Sequence, residues 1–499
     1  MFSIRKVKTK SGSTAIQVVQ YVGHRCNIAK HIGSAKNDLE IRILYRKALD
    51  WIDNETCQTS LFPNEKQRIL VVDRSECIGV THQFAYQFFS NCVKECGLSY
   101  LPPLLIDLAI MRLIEPTSKQ RAVKLLSDYF NIVYSQRIYR NIPKLSILQA
   151  DIERSAYQVA VDTFNEPFYF VLYDVTTLYF ESFKADEFKI QGFSKDNKSQ
   201  QPQIVIGLLT TQSGFPIAYQ VFAGNTFEGK TMLPIVRRFI QRHPDTKPII
   251  VADAAMLDQD RLIELRNNGL SYIVGARLAN ANLKLIKQIH ETLSERNGAI
   301  ARFHSPHGFL ICQFSSKRFT KELNELNKLI LKAEEMVARQ STGTKTKFVK
   351  RISKEKIELN TDLIEKRKLL LGIKGYCTDI LEQNMSNELA ISRYHQLWHI
   401  EQSFRMSKYD LQARPIFHQK QQAINAHILI CFVSLIIEKY LELTTKMSLR
   451  DIRYLVWNIT ESNIKDTLTK ETFTFRSPTD KLMESALGGL IKKWQMLPH

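Results

Sequence analysis

The chain has 499 residues, of which 44% are hydrophobic and 24% charged; that is ample for several domains with full cores and excludes a low-complexity or fibrous chain. Its formal net charge of +19 draws polyanions, among which nucleic acid is the commonest large one. Eight scattered cysteines, the closest pair being Cys92 and Cys96 with no matching pair elsewhere, argue against a zinc site or disulfide framework and for a reducing cytoplasm.

In chain order, "FSIRKVKTKSGSTAIQVVQYV" reads as a hairpin turning at Ser11-Gly12, with alternation on both sides. Residues 1–50 hold ten Lys/Arg against three acids, and no apolar signal-peptide core is present. A basic helix is expected around 37–52, and the pattern is helical from about 80 to 165, with Thr117 or Ser118 as an N-cap. Basic helices joined by a short turn suit either a helix-turn-helix DNA reader or a plain bundle.

From 167 to 275 strands alternate with helices. The strands expected are 167–176, 202–211, 216–224, 247–255 and 270–276, with helices before and after the fourth. Short turns between the first three favour antiparallel neighbours, and helices between the later ones favour parallel crossovers. This is the order of a ribonuclease-H-like domain, with the first and fourth strands adjacent and parallel. Residues 277–320 offer further strands; 321–370 are polar, basic and helical, and the block reads as inserted because "LLGIKGYCTDI" returns to strand-like composition. One long helix is expected from about Asn387 through Met406. The apolar run 428–437 is too short to span a bilayer and reads as a buried helix. The tail 446–499 is helical in pattern, with no nameable chemistry.

Three acids stand out: Asp174 inside the strand "FYFVLYDVTTLYFES", Asp253 ending "IIVAD", and Glu401 on the late helix. A buried carboxylate is costly unless paired, and no turn explains Asp174. An aspartate at a strand end, such as Asp253, also serves as an ordinary turn or cap residue. Carboxylates from separate elements converging on one edge suit two-metal phosphoryl chemistry with hard, oxygen-ligated Mg²⁺. On a continuous helix Tyr394, Glu401, Arg405 and Lys408 share one face; a Glu401–Arg405 salt bridge on a solvated helix is the competing reading. After the third strand, "AGNTFEGKT" offers Asn225, Lys230 and Thr231 as phosphate contacts or as a polar turn. "FSKDNKSQQPQ" offers Lys195 and Lys198 as DNA contacts or as a solvated hairpin. The Asp-Val-Thr-Thr string lacks the second Asp that an aspartyl-nucleophile phosphatase needs, because Thr176 stands there.

At "LYDVTTLYFES", "GFSKDNKSQQPQIVIGLLTTQSGFPIAYQVFAGNTFEGKTM", "IIVADAAML" and "YHQLWHIEQSFRMSKYDLQARPIFH" the chain resembles bacterial insertion-sequence transposases of the DDE class, over roughly 100–440. One branch of that class carries Tyr, two residues, Arg, three residues, Glu, six residues, Lys on the last catalytic helix. Tyr394, Glu401 and Lys408 match it; position 397, where Arg belongs, is Leu, and Arg405 or Arg393 could supply that cation.

The resemblance implies an α/β, ribonuclease-H-like catalytic domain with a large insertion, after a mostly helical N-terminal DNA-binding region. The division expected is 1–79 basic with a hairpin, 80–165 helical and end-recognising, 166–276 and 386–445 catalytic, 277–385 inserted, and 446–499 a tail for assembly. It implies Asp174, Asp253 and Glu401 as catalytic acids holding two Mg ions, which Mn can replace. Tyr394, Arg405, Lys408, Asn225 and Lys230 are the expected DNA contacts. The partners expected are double-stranded terminal inverted repeats and target DNA, with a homodimer on paired ends and no membrane, in the bacterial cytoplasm at the nucleoid. A nuclease of the same fold without strand transfer, and an inactive DNA-binding relic, are the alternatives.

Overall fold

Two units divide the chain in the computed structural model. One comprises Met1–Ala85, Asp128–Asn131 and Leu455–Gly488, the other Tyr86–Ser127, Ile132–Tyr454 and Gly489–His499. The structure describes every residue except 1, 24, 57–71, 167, 196–197, 199, 255–258, 294–295, 307, 341–346, 353–355 and 497–499.

In the first unit, Phe2–Lys8 pairs antiparallel with Thr14–Val22 around a turn where Gly12 takes φ +78°, a conformation glycine adopts without strain. A third strand, Arg25–Ala35, continues the sheet; it is mostly exposed, so no hydrophobic alternation marks it in the sequence. Helix Asp38–Thr56 lays Leu44 and Ala48 on Ile16, Val18 and Ala35. A second sheet pairs Glu461–Asp466 with both Thr472–Arg476 and Ser75–Thr81. The stretch expected to be helical, 80–165, carries helices at Gln83–Glu95, Pro103–Ile114, Lys119–Phe130 and Gln149–Asp162, while the region before it, expected as a hairpin, has among the described residues four strands and a helix, so the N-terminal region as a whole is not mostly helical. Ser118 caps helix Lys119–Phe130, accepting from the Arg121 amide.

The second unit is built on an eight-stranded mixed sheet. Its strands are β1 (Phe170–Tyr179), β2 (Gln203–Thr210), β3 (Pro216–Ala223), β4 (Ile249–Ala252), β5 (Tyr272–Ala276), β6 (Ile300–Ser305), β7 (Gly308–Phe314) and β8 (Ile373–Thr378). The order is β6-β7-β8-β5-β4-β1-β2-β3. β1, β2 and β3 form an antiparallel meander, β4 lies parallel to β1, and β5 parallel to β4. Every residue of β2 is buried, which requires cover on both faces. Helix α1 (Met232–Arg242) supplies part of that cover by burying Met232, Ile235, Val236 and Phe239 at helical spacing. Helix α2 (Gln259–Asn267) connects β4 to β5.

The block expected as an insertion is only partly one. β8 pairs antiparallel with β5, and β7 and β6 follow it, so 277–385 lengthens the central sheet by three strands. Leu278, Ile286, Phe303, Leu310, Phe314 and Ile373 form the core of that extension. Between β7 and β8, helix α3 (Ser316–Ala338) is capped by the Ser315 side chain.

The expected long helix is also corrected. It is two helices, α4 (Asn387–His395) and α5 (Trp398–Arg405), followed by a π-helical turn at Met406–Asp410. A single helical wheel therefore does not carry from Tyr394 to Lys408. Helix α6 (Gln421–Thr445) is long and apolar enough to cross a membrane, but 94% of its apolar window is buried inside the fold.

Candidate active site

Asp174 lies inside β1 between the buried Tyr173 and Val175. On one side it faces Leu208 of β2. On the other, β4 stops at Ala252, which pairs with Tyr173, so the next residues along the two parallel strands are Asp174 and Asp253. Neighbouring strands run about 4.8 Å apart, which brings the two carboxylates to adjoining positions. The notch sits at the carboxyl ends of parallel strands, where open α/β sheets bind ligands. It explains how a strand of apolar residues tolerates an acid: the side chain is 19% exposed, and Lys195 reaches it.

Lys195 ties this edge together. Its ammonium donates to the Val175 carbonyl at 2.7 Å, lies 3.2 Å from Glu228 Oε1 and 3.8 Å from Asp174 Oδ1. Its backbone amide donates to Thr177 Oγ1. Burial raises the Asp174 carboxyl to about 6; Lys195 and the Val175 amide pull it down, while Asp253 and Glu228 push it up. Glu228 is thus a third acid at the edge beside Asp174 and Asp253, missed in the sequence because "FEGK" reads as a plain turn. That turn is pinned to β1 by Thr231, whose hydroxyl accepts from Tyr173 and donates to the Glu228 carbonyl. Gly207 makes the arrangement possible, since a Cβ there would stand 2.5 Å from the Tyr173 hydroxyl. Asn225 and Lys230 of the same turn are exposed.

Asp253 accepts from the Ala254 amide and, at 2.9 Å, from the Tyr394 hydroxyl of α4. Burial and the charge of Asp253 raise the Tyr394 phenol, keeping it a donor. Gly275 of β5 leaves room for that hydroxyl, which would lie 2.6 Å from an added Cβ. Lys374 of β8 lies over the Tyr394 ring at 4.6 Å.

Helix α5 buries Ile400, Ser403 and Phe404 and leaves Glu401 and Arg405 exposed. Ser403 donates to the carbonyl of Gly214, in the β2–β3 turn, where φ is +84° and His399 leaves no space for a Cβ. No ion pair joins Glu401 to Arg405, so the competing salt-bridge reading is not realised. Glu401 acts electrostatically on both Tyr394 and Lys374. Lys408, on the π-helical turn, borders a small apolar cavity with Thr176 and Phe404, apart from the exposed face that carries Arg405. Leu397 is buried, and Arg393 is engaged elsewhere, donating to Gln212 and stacking on Phe170. The expected shared face of Tyr394, Glu401, Arg405 and Lys408 therefore breaks up: the first binds Asp253, the next two face solvent, and the last, half-buried, borders the apolar cavity.

The donor set at the Asp174–Asp253 edge is all oxygen, with no His or Cys among the contacts described, and a carboxyl held up by burial and neighbouring acids is one a hard cation would return to its ionised form. These two residues fit a hydrated divalent cation. Among the described residues, however, no three His, Cys, Asp or Glu side chains are gathered closely enough to hold a metal, so Glu401 stands apart from the pair in this conformation.

The family model described as "Transposase DDE domain" matches residues 166–437. Among solved structures, the chain is similar to a piggyBac transposase in a synaptic complex with hairpin DNA, at 9% sequence identity and a TM-score of 0.36, covering 82% of this chain and 75% of that one. No curated protein matches.

Proposed function

This chain belongs to the DDE transposase family, and from that premise we propose that it cuts the ends of a bacterial insertion sequence and joins them to target DNA through the Asp174–Asp253 edge of a ribonuclease-H-like sheet. The observation that carries the reading is the pairing of Tyr173 with Ala252 on parallel strands, which sets two carboxylates side by side where β4 ends. Asp174 and Asp253 would hold a divalent cation, and Glu401 would complete the set on closing toward them. A cation bound there supplies activation of the attacking oxygen and neutralisation of the leaving one.

The chain's own groups supply the rest. Tyr394 fixes the Asp253 carboxylate by donating to one of its oxygens. Lys195 balances Asp174 and Glu228 so that the edge is not left with uncompensated negative charge. Arg405 on the open face of α5 would steer phosphate oxygens toward the edge. Water would attack the scissile phosphodiester to free a 3′-hydroxyl, and that hydroxyl would attack target DNA in line. Two copies would act on paired ends.

The test uses plasmid DNA carrying the repeats that flank the coding sequence. Asp174→Asn, Asp253→Asn and Glu401→Gln should each abolish Mg²⁺-dependent nicking and the joining of pre-cut ends, while end binding persists. Nicking that survives Asp253→Asn would sink the assignment. Cutting by the wild-type chain without joining of pre-cut ends would identify a nuclease instead.

A further inference from the structure

The strands that extend the sheet beyond β5 bring a cation to the active edge. Lys374 and Tyr376 are two residues apart on β8 and so point to the same face of the sheet. Tyr376 pairs with Gly275, the residue whose missing side chain makes room for the Tyr394 hydroxyl. The Lys374 ammonium rests on two aromatic faces, 4.6 Å from the Tyr394 ring centre and 5.4 Å from that of Tyr376. Tyr394 in turn donates to Asp253. The result is a layered array: cation, ring, hydroxyl, carboxylate.

Lys374 differs from the other lysine at this edge. The Lys195 ammonium is taken up by a carbonyl and two carboxylates. Among the described residues Lys374 has no carboxylate within ion-pair distance and no hydrogen-bond acceptor; its neighbours are the two rings. Asp253 and Glu401 act on it only through space. A half-buried ammonium that keeps all three donors unspent beside the catalytic edge is placed for an anion that arrives from outside. Burial and the nearby Arg318 guanidinium lower its proton affinity, and the charge of a bound anion would act in the opposite direction. Its flat ring supports favour an ammonium while contributing no acceptor that would compete.

We propose that Lys374 binds a backbone phosphate of the DNA strand being cut or joined, beside the Asp174–Asp253 edge. The inference rests on the transposase reading and adds to it a contact from outside the last catalytic helix. It also gives the strands beyond β5 a role, since β8 carries the residue to the site.

The experiment measures equilibrium binding without divalent cation, so that no chemistry intervenes. The wild-type chain, Lys374→Met, Lys374→Gln and Lys374→Arg are titrated by fluorescence anisotropy onto a duplex bearing the flanking repeat, pre-cut at the 3′ end, and onto a duplex joined to target sequence. Each duplex is made with a neutral methylphosphonate at one backbone position at a time around the cut. One position should weaken wild-type binding about tenfold, the scale of a lost charge-assisted contact. At that position the Met and Gln variants should lose nothing further, having already lost about the same on native DNA, and their salt slope should fall by about one unit. Arg should restore most of the affinity. Whether the sensitive position lies in the pre-cut end or in the target segment separates the two sources of phosphate. Equal methylphosphonate losses for wild type and for whichever neutral variant folds overturn the inference. Failure of the wild-type chain to bind any duplex overturns the transposase reading, and this proposal with it.

Discussion

At the scale of single residues, the edge depends on hydrogen bonds that hold charged groups in one orientation. Tyr394 is the clearest, because its hydroxyl is fixed from three sides: Asp253 accepts from it, Gly275 leaves it space, and Lys374 covers its ring. Tyr394→Phe keeps the ring and removes only the donor. A hydrogen bond to a charged acceptor is worth about 1.5–3 kcal/mol, so strand cleavage should slow roughly ten- to a hundredfold with little change in melting temperature. Gly275→Ala should give a similar loss from the opposite side, by pushing the hydroxyl away, and should lower the melting temperature as well. Single-turnover cleavage and thermal melts of both variants check this; a Phe variant as fast as wild type would refute the positioning role. Asp174 and Asp253 were legible in the sequence because acids interrupt or end apolar strands. Lys195 was legible only as a candidate DNA contact, not as the partner of Asp174 and Glu228, and Glu228 and Lys374 were not legible at all, because each is recruited by a contact between elements that no local pattern records.

At the scale of elements, boundaries follow from burial. The five strands from β1 to β5 were readable because continuous apolar runs are separated by turns and amphipathic helices. The α4–α5 break was not, since "RYHQLWHIEQSF" keeps helical composition through Gln396 and Leu397. Helix α6 was readable as buried, but its polar partners were not. His427, buried on this helix, shares a short contact with the buried Lys119, and its other ring nitrogen meets the Ala413 carbonyl. Burial, helped by Arg112, lowers Lys119 from 10.5 to about 7. Between those values the unfolded chain holds the proton and the folded chain does not. Stability from this group is therefore fully present above pH 10.5 and is lost as pH falls toward 7, with a slope of about 1.4 kcal/mol per pH unit. Urea unfolding at pH 7.5, 8.5 and 9.5 should show that slope in wild type relative to Lys119→Met. Parallel curves for the two proteins would mean that Lys119 stays charged in the fold.

At the scale of the molecule, what the sequence alone could not reveal is which distant segments belong to one body. The residues after 446 read as a tail without chemistry, yet Glu461–Asp466 is the central strand of a sheet whose far edge is Ser75–Thr81. Glu461 is the joint: its carboxylate is 3% exposed as a residue, accepts from the Phe84 amide at 3.0 Å and pairs with Arg476 at 2.9 Å. His82 stacks on Trp457 at 3.7 Å and hydrogen-bonds its carbonyl. Removing residues 458–499 would leave the Ser75–Thr81 strand without a partner and the Phe84 amide without an acceptor. Each orphaned buried group costs about 1–3 kcal/mol, and a lone edge strand is poorly stable by itself. Limited proteolysis of the truncated chain should therefore produce new cuts between residues 72 and 85 at protease levels that leave the full chain intact. Glu461→Gln, which keeps the shape but removes the charge facing Arg476, should produce an intermediate sensitivity at the same bonds. If the truncated chain resists cleavage there as well as the full chain does, the late strands are an appendage and not part of the N-terminal unit's core.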